Sequence, residues 1–70
     1  MSIAKVIEIL AEGDSIEKAV DAAVAEAGRT VRNIRSVYIA DMQAIVRDGA
    51  VKKYRVNARI SFIVGGGDDD

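Results

Sequence analysis

The most regular pattern of apolar and polar positions lies near the C-terminal end of the chain. Between residues 53 and 64, apolar and polar side chains alternate almost without interruption. Such alternation predicts a β-strand with one buried and one polar face. The apolar face carries Tyr54, Val56, Ala58, Ile60, Phe62 and Val64, and the polar face carries Lys53, Arg55, Asn57, Arg59 and Ser61.

A second extended run covers residues 36–46 and joins the first through Arg47-Asp48-Gly49-Ala50. An Asp-Gly pair tolerates the positive φ of a hairpin turn. If the turn is a three-residue loop around Asp48 and Gly49, Gln43 lies opposite Arg55 and Asp41 opposite Asn57. These polar pairs would then share a face with apolar residues, as is typical of a subunit contact or a ligand recess. The apolar residues of that face are Val37, Ile39 and Ile45.

The N-terminal part predicts a strand followed by a helix. The run from Ile3 to Ala11 is apolar and rich in β-branched residues, which favours a strand. Asp14 and Glu17 have the spacing of a helix-capping box. From Ser15 to about Thr30 the apolar positions follow a helical period, so one helix is expected here. They are Ile16, Ala19, Val20, Ala23, Val24 and Ala27, and Val31 continues the period.

The predicted fold class is α+β, with the order β-α-β-β in a single domain over residues 1–64. A right-handed crossover makes the first two strands parallel, and the hairpin makes the third antiparallel to the second. The third strand then lies in the middle, in the sheet order 1-3-2, with the helix on one face. The other face is left uncovered. Residues 65–70 read as a disordered tail of glycine and aspartate.

Composition narrows the possibilities further. The chain has 70 residues, half of them hydrophobic, and contains neither cysteine nor histidine. A domain this small is marginally stable without disulfides, a metal or a partner. Disulfides, zinc sites and the usual nucleophiles are excluded, and no acid-base pair stands out, so the sequence does not favour an enzyme. Assembly with copies of itself is therefore expected.

The net charge of −1 hides an uneven distribution. Acids predominate up to residue 28, whereas the strands that follow are basic. This pattern fits complementary subunits, or an anionic ligand held by Lys52, Lys53, Arg55 and Arg59. Nucleic acid is not favoured, because aromatic residues do not alternate with the basic ones. No membrane-spanning run or signal peptide is recognisable, so a cytoplasmic protein is expected.

With its elements placed, the sequence resembles the dodecin family over roughly residues 3–64. Residues 4–9 are similar to the family's opening strand, residues 15–20 to its helix start, and residues 30–35 to the junction before its second strand. The resemblance is completed by Gly49, by Tyr54-Arg55-Val56 and by Ser61-Phe62.

The resemblance implies a hollow shell of twelve subunits with the helices outward. It also implies binding and storage of a flavin at subunit contacts, of the riboflavin, FMN or lumichrome class, without catalysis. Other members are described as binding calcium or coenzyme A. A shell that holds such a metal ion or anionic ligand is the alternative function.

The resemblance also suggests the binding residues. Ser36 stands where flavin-binding members have a tryptophan that stacks on the flavin, and Arg55 stands where they have a glutamine. Gln43 stands where some members have an arginine, so the arginine and glutamine look exchanged across the hairpin. Tyr38 is on the same side of the strand as Ser36 and offers a substitute ring. The candidate flavin-binding residues are Ser36, Tyr38, Gln43 and Arg55, with two alternatives open: Tyr38 in the core, and Arg55 in an intersubunit ion pair.

Overall fold

The computed structural model describes residues 3–65, which fold into three strands and one helix. The elements are β1 (Ile3–Gly13), α1 (Ile16–Gly28), β2 (Ile34–Arg47) and β3 (Ala50–Val64). β3 lies in the centre and is antiparallel to both neighbours, in the order β1-β3-β2. The predicted β-α-β-β topology and strand order are confirmed.

α1 packs on one face of the sheet through a stripe of alanines. Ala19, Ala23 and Ala27 are buried, and their small side chains let the helix approach the sheet closely. They meet buried β3 residues on what we call the helix-side face, of which Val56 and Ile60 are the largest fully buried side chains. The helix-side face of β3 comprises Val56, Ala58, Ile60 and Phe62.

The helix begins one residue later than the capping box predicts. Ser15 is the N-cap, and its hydroxyl accepts a hydrogen bond from the Lys18 N–H at 3.1 Å. Asp14 therefore does not cap the helix, and the prediction that it does is wrong. Asp and Ser side chains both accept from a backbone N–H two or three residues ahead, so the pattern alone does not separate them.

The hairpin turn contains two residues and not three. Asp48 and Gly49 have φ values of 55° and 77°, and Arg47 pairs directly with Ala50. This is the geometry that an Asp-Gly pair favours. An extra residue in β3, Lys52, then shifts the register by one. The two differences compensate each other, so the predicted pairs that follow are nevertheless confirmed: Gln43 with Arg55, and Asp41 with Asn57.

A second shift, between Ile39 and Asp41 on β2, changes which side chains share a face. Beyond it, Val37 lies opposite Ile60 and Ile39 opposite Ala58, both on the helix-side face. The expectation that Val37 and Ile39 share a face with the polar pairs is therefore wrong. One extra residue in a strand reverses the direction of every side chain after it. Ile45 remains on the side of Gln43, opposite Lys53.

The sheet face opposite α1 is covered by no element within residues 3–65, and we call it the outer face. Its β1 residues Val6 and Leu10 are 61% and 68% exposed. Within residues 3–65, no helix is long and apolar enough to cross a membrane. The predicted tail falls, apart from Gly65, outside the described residues.

Candidate ligand-binding face

A small recess lies on the outer face. It is lined by one apolar and four polar side chains and has a volume of about 40 Å³. Sites for drug-sized molecules are roughly 300–1,000 Å³. One chain therefore does not enclose an organic ligand, and a second surface is needed to complete a site here. The lining residues are Leu10, Asp41, Gln43, Arg55 and Asn57.

Arg55 is held at one side of the recess by Glu12 of β1. Its Nε and Nη2 atoms donate to Glu12 Oε2 at 2.9 and 2.8 Å. Lys53 Nζ lies 2.8 Å from the other carboxylate oxygen, Oε1. The hydrogen bonds from Lys53 and Arg55 lower the pKa of Glu12 below its ordinary value. The in-plane contacts with Glu12 fix the orientation of the guanidinium plane.

Tyr38 lies farther along the same face, opposite Arg59 on β3. Its side chain is 65% exposed, and the Arg59 guanidinium lies 6.0 Å from the centre of the ring. Arg59 Nε also donates to Glu8 Oε2 at 3.4 Å. The alternative that Tyr38 fills the core under the helix is therefore wrong. It presents an aromatic ring to the outer face.

The four residues predicted for flavin binding lie on this face, but the recess unites only two of them. Gln43 and Arg55 form a cross-strand pair and both line it. Ser36 is exposed, and its Oγ lies 2.6 Å from the Oγ of Ser61. Neither Ser36 nor Tyr38 is part of the lining. Their role in ligand binding stays a prediction.

Two further residues of this face, Leu10 and Glu12, were missed by sequence reasoning, whereas Asn57 was expected here as the partner of Asp41. Asn57 lines the recess, and its buried Oδ1 atom has no hydrogen-bond partner among the described residues. Leu10 and Glu12 belong to β1, which extends to Gly13 and not to Ala11. A longer strand would have placed Glu8, Leu10 and Glu12 on one face by simple alternation. That alternation was the available signal.

Comparison with known proteins supports one family. The Dodecin family profile matches residues 3–65. An arginine-to-alanine variant of the Thermus thermophilus dodecin superposes with a TM-score of 0.86 at 23% identity, covering 93% of this chain and 98% of that one. The Streptomyces coelicolor dodecin gives 0.84 at 22% identity, with coverages of 94% and 96%.

The Streptomyces davaonensis dodecin superposes with a TM-score of 0.83 at 15% identity, covering 91% of this chain and 96% of that one. At these identities the superpositions establish the fold. The search of curated proteins finds no match. Because the family profile spans both the sheet and the helix, the chain belongs to the dodecin family.

Proposed function

We propose that copies of this chain assemble into a hollow shell of twelve subunits and bind a flavin at their contacts. The flavin, of the riboflavin, FMN or lumichrome class, is stored and sequestered there without chemical change. Membership of the dodecin family supports the assembly. The uncovered outer face supports it independently, because a sheet of this size with exposed apolar residues on its outer face needs a partner.

One observation carries the ligand proposal. The outer face carries flat and hydrogen-bonding groups, and its recess is too small in a single chain for an organic molecule. Tyr38 offers an aromatic ring and Arg55 a guanidinium plane fixed by Glu12. A second copy facing this surface would complete a site between two flat groups.

These groups match the chemistry of a flavin ring. Its flat surface would stack on the Arg55 guanidinium or on Tyr38. Its imide edge has one N–H donor, and Asp41 supplies carboxylate acceptors at the recess. Gln43 supplies a carboxamide at the same recess. These stacking and hydrogen-bonding side chains would bind the flavin ring and fix its orientation.

The absence of a tryptophan at Ser36 weakens such a site. An aromatic partner contributes about 1–3 kcal/mol per stacked ring, by analogy with base stacking. Ser36 provides only a hydroxyl, which already contacts Ser61. We therefore expect flavin binding to be weaker than in members that carry the tryptophan, and to depend on Tyr38.

The charges of this face favour an uncharged flavin, such as riboflavin or lumichrome, over coenzyme A. Lys53, Arg55 and Arg59 each contact a glutamate within the same chain. An anionic ligand would have to compete with those carboxylates. Calorimetry with coenzyme A and with calcium tests the alternative function directly, since strong binding of either one, with none of a flavin, would favour it.

Native mass spectrometry and flavin fluorescence test the proposal. We expect a species of twelve subunits, and quenching of added riboflavin or lumichrome at micromolar protein. Tyr38→Ala should weaken quenching, whereas Tyr38→Phe keeps the ring and should retain it. A single-subunit species contradicts the shell. Unchanged fluorescence at tens of micromolar protein contradicts the flavin site.

A further inference from the structure

On the outer face, the carboxylate of Glu12 forms ion pairs with two cations, Lys53 and Arg55. Its Oε2 accepts from Arg55 Nε and Nη2 at 2.9 and 2.8 Å, and its Oε1 lies 2.8 Å from Lys53 Nζ. Both oxygens are therefore engaged. Arg55 in turn directs two of its in-plane donors at Glu12 and away from any ligand.

The charged groups around the recess balance one another. β3 contributes Lys53 and Arg55, β1 contributes Glu12, and β2 contributes Asp41. Two cations face two carboxylates, so the set has no net formal charge. The remaining lining residues, Leu10, Gln43 and Asn57, are uncharged. The basic strand identified in the sequence is thus neutralised on the face where a ligand would bind.

We propose that Glu12 is a positioning and selectivity residue that makes this recess prefer uncharged planar ligands to their phosphorylated counterparts. The inference rests on the proposed function and specifies its ligand class. Glu12 holds the guanidinium of Arg55 edge-on, which leaves the flat face of that group for stacking. The same contact cancels the charge that would otherwise attract a phosphate.

The preference follows from what each ligand would displace. A phosphate that approached Arg55 would compete with Glu12 for the same N–H donors. It would also meet the negative charges of Glu12 and Asp41. An uncharged ring does not compete for the N–H donors of Arg55, because it stacks on the flat face of the guanidinium and not on its edge.

Riboflavin and FMN provide the test, since they share a ring and differ by one phosphate. Their dissociation constants are measured by fluorescence quenching with the wild type and with Glu12→Gln. We expect the wild type to bind riboflavin more tightly. Glu12→Gln should shift the ratio of the two constants toward FMN by about tenfold, because a charge-assisted hydrogen bond becomes available to the phosphate.

Glu26→Gln is the matched control. It removes the same charge and also breaks a contact with an arginine, Arg29 at 3.3 Å, but on α1 and away from the outer face. The ratio should stay within about twofold of the wild type for this variant. An unchanged ratio in Glu12→Gln, or an equal shift in both variants, overturns the inference while the flavin site stands.

A second readout needs no flavin. Inorganic pyrophosphate should raise the melting temperature of Glu12→Gln in a concentration-dependent manner, because Arg55 and Lys53 are released to bind it. It should leave the wild type and the double variant Glu12→Gln/Arg55→Gln unchanged. If neither flavin binds, the proposed function fails and this readout decides the inference alone. No rise in Glu12→Gln, or an equal rise in the wild type, overturns it.

Discussion

The two faces of one sheet differ in how their apolar residues are covered. On the helix-side face, Val56 and Ile60 are fully buried beneath the alanines of α1. On the outer face, Leu10 and Tyr38 are 68% and 65% exposed. The first face is covered by the helix of the same chain, and the second is covered by no element within residues 3–65. In the proposed assembly, folding uses one side of the three strands and subunit contact uses the other.

The charges differ in the same way. Among the described residues, none of the buried ones on the helix-side face is polar or charged. The outer face holds Glu12 with Lys53 and Arg55, and Glu8 with Arg59. Exposed ion pairs contribute little to stability, roughly 0–1 kcal/mol each. On this face they fix the guanidinium plane of Arg55 and balance the charges of β1 and β3.

The most disruptive test places a charge on the outer face. Leu10→Asp should abolish the twelve-subunit species in native mass spectrometry, because burying an unpaired carboxylate at a contact costs several kcal/mol per subunit. Ala25→Asp makes a comparable change at an exposed position of α1 and should leave the assembly intact. Persistence of the assembly in Leu10→Asp would show that the outer face is not a contact.

Substitutions on the helix-side face should change the free energy of unfolding. Ile60 is fully buried, so Ile60→Ala should lower the free energy of unfolding by about 2–5 kcal/mol. Ile60→Val removes a single methyl group and should lower it by about 0.5–1.5 kcal/mol. Guanidinium denaturation at fixed protein concentration measures both. Equal effects for the two variants would argue against tight packing at this position.

Alanine substitutions at Gly13 and Gly28 test how closely the chain packs at the two ends of α1. A Cβ on Gly13 would lie 2.7 Å from the backbone nitrogen of Ala19, so Gly13→Ala should destabilise by about 1–3 kcal/mol. A Cβ on Gly28 would meet nothing within 4 Å, so Gly28→Ala should stabilise by up to about 1 kcal/mol. Thermal unfolding compares them. A neutral Gly13→Ala would mean that the connection between β1 and α1 shifts easily.

The smallest expected effect concerns acid stability. The pKa of Glu12 is lowered from 4.5 by Lys53 and Arg55. Its contribution to stability is therefore present above pH 4.5 and is lost as the pH falls through the lowered pKa. The urea midpoint should fall less steeply for Glu12→Gln than for the wild type as the pH is lowered below 4.5. Glu26→Gln controls for net charge, and an equally shallow curve there would contradict a specific role.

Much of the fold follows from local periodicity. Alternation along β3 identified Val56, Ala58, Ile60 and Phe62 as buried, and the helical period identified the alanine stripe of α1. These predictions succeeded because burial on one side leaves a period of two in a strand and 3.6 in a helix. The pairing of Gln43 with Arg55 was also predicted, although the turn that produces it differs.

The remaining features of the fold and the site could not be predicted, because they leave no periodic pattern in the sequence. The extra residues near Lys52 and between Ile39 and Asp41 reverse side-chain direction, and their positions reflect packing across three strands. Glu12 lay outside the predicted first strand, which ended at Ala11, and its partners Lys53 and Arg55 are on a strand distant in sequence. The unpaired Oδ1 of Asn57 is a property of one atom in a folded environment.

The sequence by itself determined one closed apolar face, the strand order, and a second face that residues 3–65 leave uncovered. Only the tertiary structure decided which residues occupy that second face. Tyr38 is brought outward beside Arg59, Val37 and Ile39 are turned inward, and Glu12 is placed against Arg55. The physical reason is that periodicity records burial within a single element. A strand bulge and a cross-strand ion pair are settled by the energy of the whole sheet.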